Sequence, residues 1–222
     1  MKVTTDGCLF GAWVAEEVRN QGSEVKSLLD IGAGTGLLSL MLAQKNNLSV
    51  NAIEIDNDAF TQALENIAAS PWKDRIKIFH SDIKDFNPTA QYDVIISNPP
   101  FYENEWPSEN LKRNKAHHSS ELSLEDLLDI IFITLKPGGR FYLLLPYKRH
   151  EGILKLFEQK EITMKKKILI RQSDDHTYFR FMIEGSFEKS VAPITNEIAI
   201  KNNNNEYTEE FTVLLKDYYL YM

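Results

Sequence analysis

The sequence predicts an α/β fold built on a seven-stranded, mostly parallel sheet with helices on both faces and a reversed last strand. Three observations predict it. Apolar runs of strand length alternate with segments of helical periodicity along most of the 222 residues. A glycine-rich turn, Gly32-Ala33-Gly34-Thr35-Gly36, joins the first run to the first helical segment after it. The last two runs are separated only by Arg171 to Thr177, too short for a helical crossover and suited to an antiparallel pair.

Each element has its own signal. Leu9, Ala12, Trp13 and Glu16 to Val18 predict a short helix after Thr5-Asp6-Gly7, a lead-in within residues 1–22. Strands are expected at Ser27–Ile31, Val50–Ile55, Ile76–Phe79, Tyr92–Ser97, Arg140–Leu145, Ile168–Ile170 and Tyr178–Ile183. Leu37–Lys45, Asp58–Ala69 and Leu124–Leu135 carry apolar residues at three-and-four spacing, with Asp56 or Asn57 capping the second and Ser123 the third. Pro71 closes the second of these helices, and Pro137-Gly138-Gly139 closes the third. Asn202 to Asn205 reads as a surface turn, after which Thr208 caps a last helix within residues 206–222 whose Phe211, Leu214, Leu215 and Tyr218 share a face. With 43% hydrophobic residues, one substantial core and a single domain over residues 1–222 are expected.

Composition narrows the function. No apolar run approaches the ~20 residues that cross a bilayer, and no signal-peptide pattern opens the chain, so a cytoplasmic protein without a membrane partner is expected. Cys8 is the one cysteine, and the five histidines, at 80, 117, 118, 150 and 176, lack ligand partners at zinc spacing, so neither a disulfide nor a metal is expected. The net charge of −7 argues against broad adhesion to nucleic acid but permits a local basic patch. Three clusters qualify: Lys112, Arg113 and Lys115 beside His117 and His118, then Lys148-Arg149-His150, then Lys165-Lys166-Lys167. Each also reads as an ordinary solvated face.

The chemistry concentrates at strand ends. In Leu29-Asp30-Ile31-Gly32-Ala33-Gly34-Thr35-Gly36 the glycines permit a tight turn and close approach of a ligand. A dinucleotide loop would carry G-x-G-x-x-G, but here the third glycine position is Leu37. Asp30 is poorly placed for a diphosphate and well placed for an ammonium group or a water-linked amino acid. Both points favour S-adenosylmethionine over NAD. Glu54 ends the second strand where a ribose diol belongs, and Asp82, next to Ile83, ends the third where it can accept from an adenine amine.

The fourth strand ends in Asn98-Pro99-Pro100-Phe101. Two prolines remove backbone donors and fix φ, which ends ladder pairing and holds the chain rigid. The Asn98 side-chain oxygen and the Pro99 carbonyl can then accept both hydrogens of a planar amine, favour a pyramidal nitrogen and aim its lone pair at an activated methyl. Phe101 can stack on the target ring, a contact worth ~1–3 kcal/mol per base.

Together these residues resemble the class I S-adenosylmethionine-dependent methyltransferases, and Asn98-Pro99-Pro100-Phe101 looks like their amine-methylating branch. A closer similarity rests on Met1-Lys2-Val3-Thr4-Thr5-Asp6-Gly7, Asp30 to Leu38, Glu65-Asn66-Ile67 with Ser70-Pro71-Trp72, Ser97 to Tyr102, and Tyr218-Tyr219-Leu220-Tyr221-Met222. These resemble the bacterial enzymes that N6-methylate the adenosine following the anticodon of a valine tRNA. The resemblance implies a Rossmann-like sheet and S-adenosylmethionine held by Thr5, Asp6, Asp30, Gly32, Gly34, Gly36, Glu54, Asp82, Ile83 and Asn98. It implies a catalytic Asn98-Pro99-Pro100-Phe101 and a tRNA partner touched by Phe101, Lys112, Arg113, Lys115, Lys148 and Arg149. A monomer with no obligate protein partner is expected. Glutamine N5-methylation of a protein, guanine N2-methylation of RNA, and a non-catalytic RNA-binding module with a vestigial donor pocket are the alternatives.

Overall fold

A computed structural model describes residues 3–88, 90–100, 122–189 and 192–220. The helices are α1 (Thr5–Asn20), α2 (Leu37–Lys45), α3 (Asn57–Ala68), α4 (Leu124–Thr134), α5 (His150–Gln159) and α6 (Glu209–Leu215). The strands are β1 (Ser27–Ile31), β2 (Ser49–Glu54), β3 (Ile76–His80), β4 (Tyr92–Ser97), β5 (Leu135–Pro146), β6 (Thr163–Arg171), β7 (Tyr178–Ser186) and β8 (Ile194–Ala199). They form one sheet in the order β3-β2-β1-β4-β5-β7-β6-β8.

β1 to β5 run parallel, and each of the inner strands β1 and β4 is buried on both faces, which accounts for their unbroken apolar sequence. Leu28, Val94, Ile96 and Tyr142 point to the face covered by α1, α2 and α6, where Phe10, Leu42 and Phe211 pack. Leu29, Ile95, Phe141 and Leu143 point to the opposite face, against Leu128 and Ile131 of α4 and Ile153 and Phe157 of α5.

Two features place the ligand-binding edge. The chain order reverses between β1 and β4, so the crevice opens outside the carboxyl ends of those neighbours, with Ile31 and Ser97 in register. The Ser97 hydroxyl donates to the Ile31 carbonyl at 2.7 Å, tying the two strand tips together.

Caps follow the predicted chemistry. Asp56 accepts from the Ala59 amide at 2.8 Å to start α3, Thr208 accepts from Phe211 at 3.3 Å to start α6, and Ser123 forms a reciprocal box with Asp126 at the head of α4. α1 begins earlier than expected, because Thr4 caps it and draws Thr5, Asp6 and Gly7 into its first turn.

The sheet has eight strands rather than the expected seven. β8 pairs parallel to β6 at the sheet edge, and its first four residues are exposed, so no apolar alternation marks it. The reversed strand is β7, antiparallel to both β5 and β6, and it lies inside the sheet rather than at its margin. α5 was also unforeseen: it starts within the basic run Lys148-Arg149-His150. Pro137-Gly138-Gly139 falls inside β5, in the register shift between Leu135 and Arg140.

Candidate active site

The glycine loop turns because Gly32, Gly34 and Gly36 adopt φ of 73°, 57° and 81°, a region that glycine enters without strain. Gly32 and Ala33 both donate to the Ile53 carbonyl, at 2.9 and 3.0 Å, so the loop leans on the tip of β2. Glu54 completes that brace: one carboxylate oxygen accepts from the Gly34 amide at 2.7 Å and the other from the Asp56 amide at 2.8 Å. At Gly36 an added Cβ would make ordinary contact with the Ala63 Cβ at 3.4 Å, so what calls for glycine here is its φ of 81°.

A cleft of about 490 Å³ opens along this edge, within the range of small-molecule sites. Gly32, Gly34, Glu54, Asp82 and Ile83 line one side of it; Asn98, Pro99 and Pro100 line it at the tip of β4; Thr4, Asp6 and Gly7 line it from the first turn of α1. Asp82 caps the short 3-10 turn Ile83–Asp85, accepting from the Lys84 amide at 2.9 Å. Asn98 is half-buried and Pro99 buried. A Cβ on Gly7 would stand 3.1 Å from the Thr4 hydroxyl that caps α1 and in ordinary contact, at 3.9 Å, with the Asn98 amide nitrogen, so the first turn of α1 lies beside the tip of β4.

Three predicted residues sit differently. Asp30 is fully buried and outside the cleft lining; one of its oxygens accepts from both the Ser39 hydroxyl at 2.7 Å and the Ser39 amide at 3.1 Å, fastening α2 to β1. Its other oxygen, Oδ1, has no partner among the described residues, and burial pushes the carboxyl up to about 6 against the pull of Ser39. Thr5 is exposed and outside the lining, its place taken by Thr4, and Gly36 likewise stands behind the loop. Lys148 and Arg149 occupy the 3-10 turn Tyr147–Arg149, after the carboxyl end of β5 and thus on the cleft's edge of the sheet but not in its lining. Phe101, Lys112, Arg113 and Lys115 lie outside the described residues.

Arg180 was not foreseen. It sits on β7 opposite Pro146, lines the cleft, and donates from Nε to Asp6 at 3.0 Å. Its sequence signal is a lone cation between Phe179 and Phe181, which reads as ordinary strand alternation.

The lining suits a cationic ligand with a diol and an adenine. Carboxylates Asp6, Glu54 and Asp82 stand at three points along it, and above Gly32 a Cβ would meet nothing within 4 Å, so that backbone is open to close approach. Among the described residues no cluster of His, Cys, Asp and Glu could hold a metal.

Comparisons with known proteins bear on the family and the fold. Residues 13–126 match the methyltransferase small domain. A tRNA1(Val) (adenine(37)-N6)-methyltransferase from Parabacteroides distasonis is 36% identical over all of this chain and 92% of its own length. One from Dyadobacter fermentans is 38% identical over 99% of this chain and 91% of its own. Among solved structures, a predicted O-methyltransferase from Agrobacterium tumefaciens shares the fold with a TM-score of 0.70 at 15% identity, over 94% of both chains. A putative class I S-adenosylmethionine-dependent methyltransferase from Listeria monocytogenes does so with 0.66 at 16% identity, over 90% of this chain and 68% of its own. The chain belongs to the family of the tRNA1(Val) (adenine(37)-N6)-methyltransferases.

Proposed function

We propose that this protein transfers a methyl group from S-adenosylmethionine to the exocyclic N6 amine of adenosine 37 in a valine tRNA, as the names of its relatives indicate. The observation that carries the reading is the convergence of two strand tips on one cleft: the glycine loop after β1, and Asn98-Pro99-Pro100 after the neighbouring β4.

S-adenosylmethionine supplies an electrophilic methyl on a positively charged sulfur. Glu54 is the acceptor for its ribose diol, since each carboxylate oxygen has accepted one hydrogen bond and retains a lone pair. Asp82 and Ile83 hold the adenine, Gly32 and Gly34 give backbone approach, and Asp6 and Thr4 flank the amino-acid end. Asp30 positions the loop through Ser39 rather than touching the ligand.

Asn98 and Pro99 handle the acceptor. The amine of adenine is a weak nucleophile because its lone pair is shared with the ring. Two oxygens accepting its hydrogens, the Asn98 side chain and the Pro99 carbonyl, hold the lone pair out of conjugation. The fixed φ of Pro99 and Pro100 keeps those oxygens in place before the reaction, so little reorganisation is needed. The amine proton becomes acidic as nitrogen gains its new bond and leaves along these acceptors to water, so no strong base is required. Phe101 follows directly in sequence and is the ring assigned to stack on the flipped base.

The tRNA substrate named for the relatives places the protein's action in the cytoplasm under this reading. The test supplies labelled donor with either deproteinised total tRNA or ribosomal protein, followed by nucleoside mass analysis. Label in N6-methyladenosine of tRNA is expected. Label in protein glutamine, or in N2-methylguanosine, would replace the reading.

A further inference from the structure

Arg180 stands apart from the rest of the cleft. Among the described lining residues it is the one cation, facing three carboxylates, Asp6, Glu54 and Asp82. It reaches the cleft because β7 runs antiparallel to β5. That reversal brings the start of β7 to the edge where β1, β4 and β5 end, with Arg180 opposite Pro146. Strand order also fixes its side. Glu54 and Asp82 follow β2 and β3, on one flank of β4, whereas β7 lies on the other flank, two strand spacings or about 10 Å from β4. Arg180 is therefore on the side of Asn98 away from those donor-holding acids.

Its hydrogen bonding is incomplete in an informative way. Nε donates to Asp6 at 3.0 Å, and among the described residues Asp6 is the group it pairs with. Among the described residues the Nη donors are left over, on a side chain 31% exposed. The Asp6 bond fixes the plane of the guanidinium, and a fixed fork of N–H groups matches the two oxygens of a phosphodiester. Asp6 also offsets the Arg180 charge, so this cation does not repel a positively charged donor in the same cleft.

We propose that Arg180 binds a backbone phosphate next to the target nucleotide, holding the acceptor strand at the mouth of the cleft while Asn98 holds the amine. This rests on the reading of the acceptor as tRNA. Asp6, carried as a donor contact, is then also the positioning partner of the phosphate-binding residue.

The test compares wild type, Arg180→Ala and Arg180→Lys on transcribed valine tRNA at several salt concentrations, with the affinity for S-adenosylhomocysteine measured by calorimetry on the same preparations. In Arg180→Ala, KM for tRNA should rise about 10- to 100-fold, with kcat and the affinity for S-adenosylhomocysteine within twofold of wild type. The slope of log KM against log salt should fall by about one. Arg180→Lys, which keeps the charge but not the fork, should recover the salt slope and part of the KM. An unchanged KM and slope overturns the proposal. So does a fall in affinity for S-adenosylhomocysteine as large as the rise in KM, which would assign Arg180 to the donor's carboxylate. So does a loss of kcat alone, which would make Arg180 a brace for α1. Absence of tRNA methylation by wild type would instead refute the assigned activity, before any variant is compared.

Discussion

Asp30 shows how one residue of a binding motif can brace the motif from behind: it is fully buried, outside the cleft lining, and bonded to Ser39. It lies two positions before Gly32, and the sequence suggests an electrostatic role toward an ammonium group; its carboxylate accepts twice from Ser39, and its buried Oδ1 has no partner among the described residues. The carboxyl is raised from 3.8 to about 6 in the folded state. A raised carboxyl binds its proton more tightly in the folded chain, so folding is penalised as pH rises from about 4 to 6, and the penalty is complete above 6. Two units correspond to about 3 kcal/mol. Asp30→Asn is therefore predicted to be more stable than wild type in urea unfolding at pH 7 without donor, with the difference vanishing below about pH 4. A variant less stable than wild type at pH 7 would mean that the charge itself is needed by the loop. Residue types alone marked Gly32, Gly34, Glu54, Asp82 and Asn98, because strand-end acids and a proline-locked amide are local signals. Arg180 left no such mark: its place depends on β7 entering the sheet in reverse, which is a property of topology.

At the scale of elements, β5 and β7 carry the join between the parallel half of the sheet and the rest. Their pairing sets Phe141 opposite Gly185, and an added Cβ at Gly185 would stand 2.3 Å from the Phe141 ring. The glycine is thus the space the ring occupies. Gly185→Ala should cost about 1–3 kcal/mol by overpacking, read by chemical denaturation, and Phe141→Leu in the same chain should return part of it. A smaller cap effect belongs here too: Ser123→Ala removes the reciprocal box at α4 and should cost about 1 kcal/mol. β1 and β4 were readable to the residue because burial on both faces forces continuous apolar sequence. β8 was not, since an exposed edge strand needs no alternation, and α5 was hidden by the basic residues at its start.

For the whole molecule, the fold and the site are one arrangement. Placing β1 beside β4, with β2 and β3 beyond, lines up the glycine loop, Glu54, Asp82 and Asn98 along one edge. A ligand spanning elements so distant in sequence should stabilise the entire chain. Sinefungin or S-adenosylhomocysteine at 100 times its Kd should add about 2.7 kcal/mol. In thermal unfolding that is a rise of roughly 5–11 °C for a chain of this size. No shift would mean that the cleft does not take the donor. The central claim is that rigid oxygens at the tip of β4 orient an amine beside a methyl held at β1, and single-turnover transfer by Asn98→Ala tests it most directly. With donor affinity unchanged, the rate of methyl transfer to tRNA should fall at least ~100-fold. Near-normal transfer by that variant would contradict the account.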